Sequence, residues 1–142
     1  MSIIKQDRLI TSAKYSLAFL WIFTGLTSTF ISPDIGYEIL SNAKVTGSLA
    51  DTAVYAGGML DIILGLWLMT SFKTKLCCIV QVTVIALYTL LLTLVDASFW
   101  LHPFGPITKN IPIIVLIAYV YTSDATRVST IATKSTTTKN LN

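Results

Sequence analysis

The sequence predicts an all-α integral membrane protein: a four-transmembrane-helix bundle, both termini cytoplasmic, with a short surface helix in the first outer loop. Of its 142 residues, 54% are apolar and only 12% are charged, and the mean hydropathy is +0.72, unlike a soluble domain. Four apolar segments follow one another, at residues 15–31, 52–70, 76–95 and 107–122. The first three approach the length of about 20 residues that a spanning helix needs.

The basic residues predict the orientation of these helices. Two lie on the outer side, Lys44 and Lys109. The other eight of the ten precede the first helix, fill the second loop or follow the fourth helix: Lys5, Arg8, Lys14, Lys73, Lys75, Arg127, Lys134 and Lys139. Because positive residues accumulate on the cytoplasmic side, both termini are predicted there. No Ala-x-Ala-like site follows the first segment, so we interpret it as an uncleaved anchor.

The first outer loop, residues 32–49, contains a helix start signal. Ser32, Pro33 and Asp34 supply a cap, a proline for the first turn and an acid that favours the helix dipole. Apolar residues then recur at helical spacing, which predicts a short helix lying on the membrane surface. Asp51 is predicted to cap the second spanning helix.

The fourth segment is short, and an extension back to Pro103 would give it a spanning length. Pro106 and Pro112 lack the N–H that a regular helix needs. Irregular backbone at membrane depth is tolerated where it is buried in protein or lines a cavity. One interpretation is therefore an outward-facing polar pocket with His102, Lys109 and Asn110 in its wall. A kinked helix start that fits the outer loop accounts for the prolines equally well.

Asp61 is the strongest functional candidate, because a lone carboxylate near the middle of a span costs about 3 kcal/mol on insertion scales. Gly57 and Gly65 lie four residues to either side of it, on the same helix face. Small residues allow a neighbouring backbone to approach, so Asp61 is expected to face protein. Either its carboxyl is hydrogen-bonded to hydroxyls of other helices and fixes the packing, or it accepts a proton or binds a ligand.

Lys109 is the predicted partner of Asp61. In a fourth helix that begins near Pro103, it would lie about 9 Å below the outer boundary, against about 14 Å for Asp61, at about 1.5 Å per residue. Two alternatives stay open: Lys109 extends outward to the lipid headgroups, or it pairs with Asp96 at the end of the third helix. Thr89 and Asp96 belong to a sparse polar lining on that helix.

Several classes of protein are disfavoured. The scattered basic residues form no nucleic-acid stripe, and no glycine-rich nucleotide loop is present. One histidine and the adjacent Cys77 and Cys78 offer no metal site. The sequence offers no pairing of a nucleophile with a base, which disfavours an enzyme acting on its own. No cofactor is identified. The tail, residues 123–142, is rich in Thr, Ser and Lys, which predicts a disordered basic cytoplasmic segment after a membrane domain at residues 1–122.

Three stretches of the chain resemble the DoxX-like family of small four-helix membrane proteins. They are the run from Arg8 through residues 17–26, the stretch at residues 58–65 that includes Asp61, and His102-Pro103-Phe104-Gly105-Pro106 followed by Lys109-Asn110-Ile111-Pro112. The resemblance covers nearly the whole chain up to the tail. It implies a multi-pass protein of the bacterial inner membrane, with an acid in the second helix as part of the family pattern.

The expected function is that of an accessory or scaffold subunit of a membrane complex, with a polar pocket open to the outside. An association with quinone-linked redox enzymes, and with quinone itself, is implied by the resemblance alone. The expected partners are the lipid bilayer and either other subunits or further copies of this chain. The alternative is a small-solute or proton-conducting membrane protein.

Overall fold

The structure is a computed structural model that describes residues 3–101 and 107–139, with side chains for 5–98, 100–101 and 107–124. All regular structure in these residues is helical. The five α-helices are α1 (Ile3–Leu26), α2 (Pro33–Asn42), α3 (Ser48–Thr70), α4 (Thr74–Val95) and α5 (Asn110–Lys139). A π-helical turn (Thr27–Ile31) extends α1, and a 3-10 turn (Ala97–Trp100) follows α4.

Within the described residues, three helical stretches are long and apolar enough to cross a membrane: Lys5–Ile31, Ser48–Thr70 and Thr74–Val95. The first three predicted segments are thereby confirmed as helices of membrane-spanning length, although α1 begins at Ile3, well before residue 15. Hydropathy marks the part of a helix that suits lipid, and it does not detect a polar turn that continues the same helix into water.

The helix predicted as the fourth span is α5. It begins later than predicted, at Asn110, after a turn at residues 107–109. Pro112 can occupy the first helical turn, where no backbone N–H is required, and this accounts for a start just before it. Lys109 therefore precedes the helix, which corrects its predicted place within it. Pro103 lies outside the described residues. The apolar part, Asn110–Asp124, is about 22 Å long at about 1.5 Å per residue.

The predicted surface helix is present as α2, with Pro33 at its start and Asp34 in its first turn. The prediction for Asp51 was wrong. Helix α3 begins at Ser48, and its N-cap is Gly47, whose φ of +67° suits glycine. Asp51 thus lies in the first turn of α3, where its charge favours the helix dipole.

The long helices form an antiparallel arrangement in which α1 packs mainly along α3, and α4 packs mainly along α5. Helix α1 also contacts α5, α4 contacts α3 more briefly, and α2 lies against α3. The tight connection between α3 and α4 uses left-handed backbone at Ser71 and Lys73. We call the end of the bundle with this connection the hairpin end, and the opposite end, with α2 and residues 96–109, the α2 end.

Glycines bring the backbones of α1 and α3 together. A Cβ on Gly65 would lie 2.8 Å from the Ala18 carbonyl oxygen, and one on Gly58 would lie 3.0 Å from the Gly25 carbonyl oxygen. The contact confirms that a neighbouring backbone approaches Gly65, and it identifies α1 as that neighbour. Close backbone approach through small residues is a usual way for membrane helices to associate.

The hairpin half of the bundle is filled by apolar side chains. Those at most 1% exposed include Leu17, Leu64, Leu68, Ile117 and Val120. Toward the hairpin end Lys14 Nζ donates to Thr74 Oγ1 at 3.1 Å and to Asp124 Oδ1 at 3.5 Å, which ties α1 to α4 and α5.

Helix α5 continues along the backbone to Lys139, so the segment predicted to be a disordered tail is helical through that residue. Its first residues also pack against the bundle, because Ser123 is 8% exposed and Asp124 pairs with Lys14. A sequence rich in Thr, Ser and Lys can prolong a helix that is already nucleated, since each added residue contributes one further hydrogen bond. The domain boundary at residue 122 stays a prediction.

Candidate functional site

Within the described residues, two cavities lie in the α2 half of the bundle. One, of about 320 Å³, lies between α2, α3 and α4. The other, of about 410 Å³, lies between α1, α4 and the start of α5. Asp61 of α3 and Tyr88 of α4 line both cavities. These two side chains therefore stand between the cavities, and we call them the Asp61–Tyr88 partition.

Asp61 is held in the interior with an incomplete set of partners. Its side chain is 8% exposed, and its Oδ1 has no hydrogen-bond partner. The hydroxyls of Thr24 and Tyr88 interact with the carboxyl group, but neither satisfies Oδ1. Buried polar atoms usually have a partner, so an orphaned oxygen at the edge of a cavity indicates a place for a ligand atom or a water molecule.

Gly57 allows the partition to form. A Cβ at this position would lie 3.2 Å from the Tyr88 hydroxyl oxygen, so the missing side chain leaves room for the phenol. Gly57 thus faces α4, whereas Gly58 and Gly65 face α1. The glycines around Asp61 consequently serve two different helix contacts.

The larger cavity combines apolar walls with a few polar groups. Its lining residues are Leu20, Trp21, Phe23, Thr24, Asp61, Ile85, Tyr88, Lys109, Asn110 and Ile113. The Trp21 side chain is 5% exposed, and its Nε1 has no acceptor. Asn110 Nδ2 donates to Thr89 Oγ1 at 2.9 Å, which joins α5 to α4 beside the cavity.

The smaller cavity lies beneath α2. Gly36, Ile39 and Leu40 of that helix face it, opposite residues of α3 and α4. A Cβ on Gly36 would lie 3.1 Å from Val54 Cγ2, so glycine allows α2 to rest close to α3. The surface helix is therefore also part of a cavity wall.

The structure brings some of the predicted site residues together. Asp61, Lys109 and Asn110 line the larger cavity, and Gly57 lines the smaller one. Thr89 joins them indirectly, through its hydrogen bond with Asn110.

Other predicted residues lie elsewhere. Gly65 is deeper in the bundle, against α1. Asp96 is exposed and accepts a hydrogen bond from the Ser98 backbone N–H at 2.8 Å. That bond lowers the pKa of Asp96 below its ordinary value of 3.8, and it gives Asp96 the role of capping a turn. His102 lies outside the described residues.

Lys109 and Asp61 share a cavity without forming an ion pair. Lys109 is exposed, and within the described residues the ion pair closer than 4.0 Å is Lys14–Asp124. The pairing of Lys109 with Asp61 that the sequence predicts is therefore not formed between these described side chains.

Trp21 and Tyr88 were not among the predicted site residues. Tyr88 follows Gln81 by seven residues, and both lie on the inner face of α4. Trp21 precedes Thr24 by three residues on α1, so helical spacing could have identified both. Which inner residues border a cavity could not be identified, because that depends on how the helices pair.

The arrangement suits noncovalent binding of a small molecule. Ligand sites are typically cavities of roughly 300–1,000 Å³ with apolar walls and a few convergent polar groups. Within the described residues, no three His, Cys, Asp or Glu side chains are grouped so that they could hold a metal ion.

The sequence profile described as "DoxX-like family" matches residues 18–118. This stretch contains α2, α3, α4, all residues that line the two cavities and the apolar first turns of α5. Searches of curated proteins and of solved structures found no match.

Proposed function

Because the chain belongs to the DoxX-like family and carries three membrane-length apolar helices, we propose that it is an accessory subunit of a membrane complex that holds a small ligand beside Asp61. The observation that supports this function most directly is the cavity of about 410 Å³, with its apolar walls and two orphaned polar atoms, Asp61 Oδ1 and Trp21 Nε1. A site of this composition binds and orients a molecule.

We propose further that α5 is a fourth span and that both termini are cytoplasmic. Lys14, Lys73 and Lys75 are near the hairpin end, where positive residues would face the cytoplasm. Helix α5 is long enough as a whole, since its backbone continues well beyond the apolar part. In this orientation the two cavities lie in the outer half of the membrane.

A cavity-filling substitution tests the binding function. Ile113→Trp would place a large side chain in the cavity, whereas Val115→Trp adds the same group at a position that is 65% exposed. We expect native mass spectrometry of the protein in lipid nanodiscs to find a bound small molecule or a further subunit in the wild type. The Ile113→Trp protein should lose the small molecule, and the Val115→Trp protein should retain it.

A wild-type protein purified without ligand and without a second kind of subunit would refute the proposal. Retention of the ligand by the Ile113→Trp protein would refute the placement of the ligand in the larger cavity. A quinone is one candidate for the bound molecule, suggested by the family resemblance, and the mass of the ligand decides this directly.

Conduction of protons or small solutes is the second candidate function. The Asp61–Tyr88 partition favours it, because an acid between two cavities could pass a proton from one to the other. The filled hairpin half favours binding instead, since buried Leu17, Leu64 and Val120 separate the cavities from the hairpin end. Proton flux into reconstituted vesicles that Asp61→Asn abolishes would reverse this ranking.

A further inference from the structure

The charge of Asp61 restricts the ligand that the larger cavity can take. Asp61 is the buried acid of this cavity, and no described Lys, Arg or His side chain lies within 4.0 Å of it. An ionisable residue at such a depth usually has a partner of opposite charge or serves a function. A buried carboxylate without a cation therefore leaves a place for a positive ligand.

The walls around Asp61 have the composition that favours an organic cation. Trp21, Phe23 and Tyr88 supply three aromatic rings, and the faces of such rings attract ammonium groups, quaternary ones in particular. Leu20, Ile85 and Ile113 supply apolar surface for the body of the molecule. A small inorganic cation would find few oxygen ligands here.

The remaining polar groups are mostly engaged within the protein. The Thr24 hydroxyl donates to the Leu20 and Trp21 carbonyls, at 2.9 and 3.1 Å, and the amide of Asn110 donates to Thr89. Among the buried polar atoms of the described residues that line this cavity, Asp61 Oδ1 is an acceptor without a partner and Trp21 Nε1 is a donor without one.

Lys109 is the other charged group that borders the cavity, and it is exposed. Its flexible ammonium group can point to water, away from Asp61. When a positive ligand enters, Lys109 is expected to oppose binding, because like charges repel.

We propose that this cavity binds a lipophilic organic cation, with the positive group against Asp61 and between the rings of Trp21 and Tyr88, and the apolar body among Leu20, Ile85 and Ile113. An acceptor oxygen on that body would satisfy Trp21 Nε1. The inference rests on the proposed binding function and specifies the chemical class of the ligand.

A pair of isosteric probes tests the inference. Benzyltrimethylammonium and neopentylbenzene have the same shape and differ in charge. Isothermal titration calorimetry with the full chain in nanodiscs, corrected with empty nanodiscs, is expected to show at least about tenfold tighter binding of the cation. Equal binding of the two probes, or binding of neither, would overturn the inference on the wild-type protein alone.

Three variants identify the group responsible. Asp61→Asn should abolish the preference for the cation, whereas Asp51→Asn, which removes an exposed acid from the same helix, should retain it. Lys109→Met should bind the cation more tightly than the wild type, because the opposing charge is removed. Retained preference in Asp61→Asn, or lost binding in Lys109→Met, would overturn the inference.

Failure of this inference is separable from failure of the proposed function. A neutral molecule found by mass spectrometry in the wild type, and lost in Ile113→Trp, would preserve the binding function and exclude the cation. A protein that carries neither a ligand nor a further subunit would remove both.

Discussion

The close contact between α1 and α3 makes Gly65→Ala the sharpest test of the fold. Its new Cβ would lie 2.6 Å from Ile22 Cγ1, 2.8 Å from the Ala18 carbonyl oxygen and 3.1 Å from the Ile22 nitrogen. Ordinary contacts of a Cβ begin at 3.4 Å. The Ile22 side chain can rotate away, but the two backbone atoms belong to a regular helix, so α1 and α3 must separate by about 0.6 Å.

The free-energy cost follows from this separation. Forcing one extra carbon into a packed contact costs about 1–3 kcal/mol. Alanine favours a helix over glycine by up to about 1 kcal/mol, which offsets part of that cost. We therefore expect Gly65→Ala to lower the free energy of unfolding by about 1–2 kcal/mol, a factor of about 5–30 in the ratio of folded to unfolded protein.

Gly57→Ala is the matched control on the same helix. Its Cβ would meet the Tyr88 hydroxyl oxygen at 3.2 Å, and that atom is the mobile end of a side chain. Unfolding in mixed micelles of lipid and dodecyl sulfate, followed by circular dichroism, should find Gly57→Ala close to the wild type and Gly65→Ala clearly less stable. Equal stability of the two variants would refute the backbone contact between α1 and α3.

Two further predictions concern polar contacts outside the cavities. The stability losses of Lys14→Met and Asp124→Asn should be non-additive by about 1 kcal/mol in a double-mutant cycle measured by the same unfolding assay, because their ion pair is mostly shielded from water. The losses of Lys5→Met and Asp124→Asn, the control pair, should be additive. Additive losses for Lys14→Met and Asp124→Asn would contradict the ion pair. The pKa of Tyr37 is above its ordinary value of 10.0, first because its hydroxyl is hydrogen-bonded to Asp51. The stability that this hydrogen bond contributes is fully present below pH 10.0, the ordinary pKa of tyrosine, and is lost as the pH rises through the raised pKa of Tyr37. Asp51→Asn should lower the pKa of Tyr37, measured by phenolate absorbance with Tyr37→Phe as the reference, and an unchanged titration would contradict this contact.

Local sequence signals predicted the elements that depend on local chemistry. Helix α2 was predicted because Pro33 and Asp34 favour a helix start whatever surrounds them. The start of α1 and the end of α5 were not predicted. Apolar composition indicates which part of a helix can lie in lipid, but it does not indicate how far the helix continues into a polar sequence. The start of α3 was predicted one turn too late, at Asp51. The actual N-cap is Gly47, which has a positive φ and no side chain that could signal a cap in the sequence.

The site was predictable in part. The burial of Asp61 could be predicted from the apolar composition of the segment around it and from its glycine neighbours, and Asp61 is buried in the structure. That Gly57 faces α4 while Gly58 faces α1 could not be predicted, because adjacent residues differ by about 100° around a helix and the order of helices around the bundle is needed to assign each direction. The cavities depend on the same information.

The Asp61–Tyr88 partition has a consequence for the rate of exchange within the protein. A side chain that changes rotamer moves on a timescale of picoseconds to nanoseconds at exposed positions, whereas helices shift over about microseconds to milliseconds. Tyr88 borders both cavities and has Gly57 beside its hydroxyl, so we expect a movement of its phenol ring, without a shift of any helix, to connect the two spaces. Passage of a small molecule between them would then be limited by one side chain, and the residence time at Asp61 would be set by its contacts there.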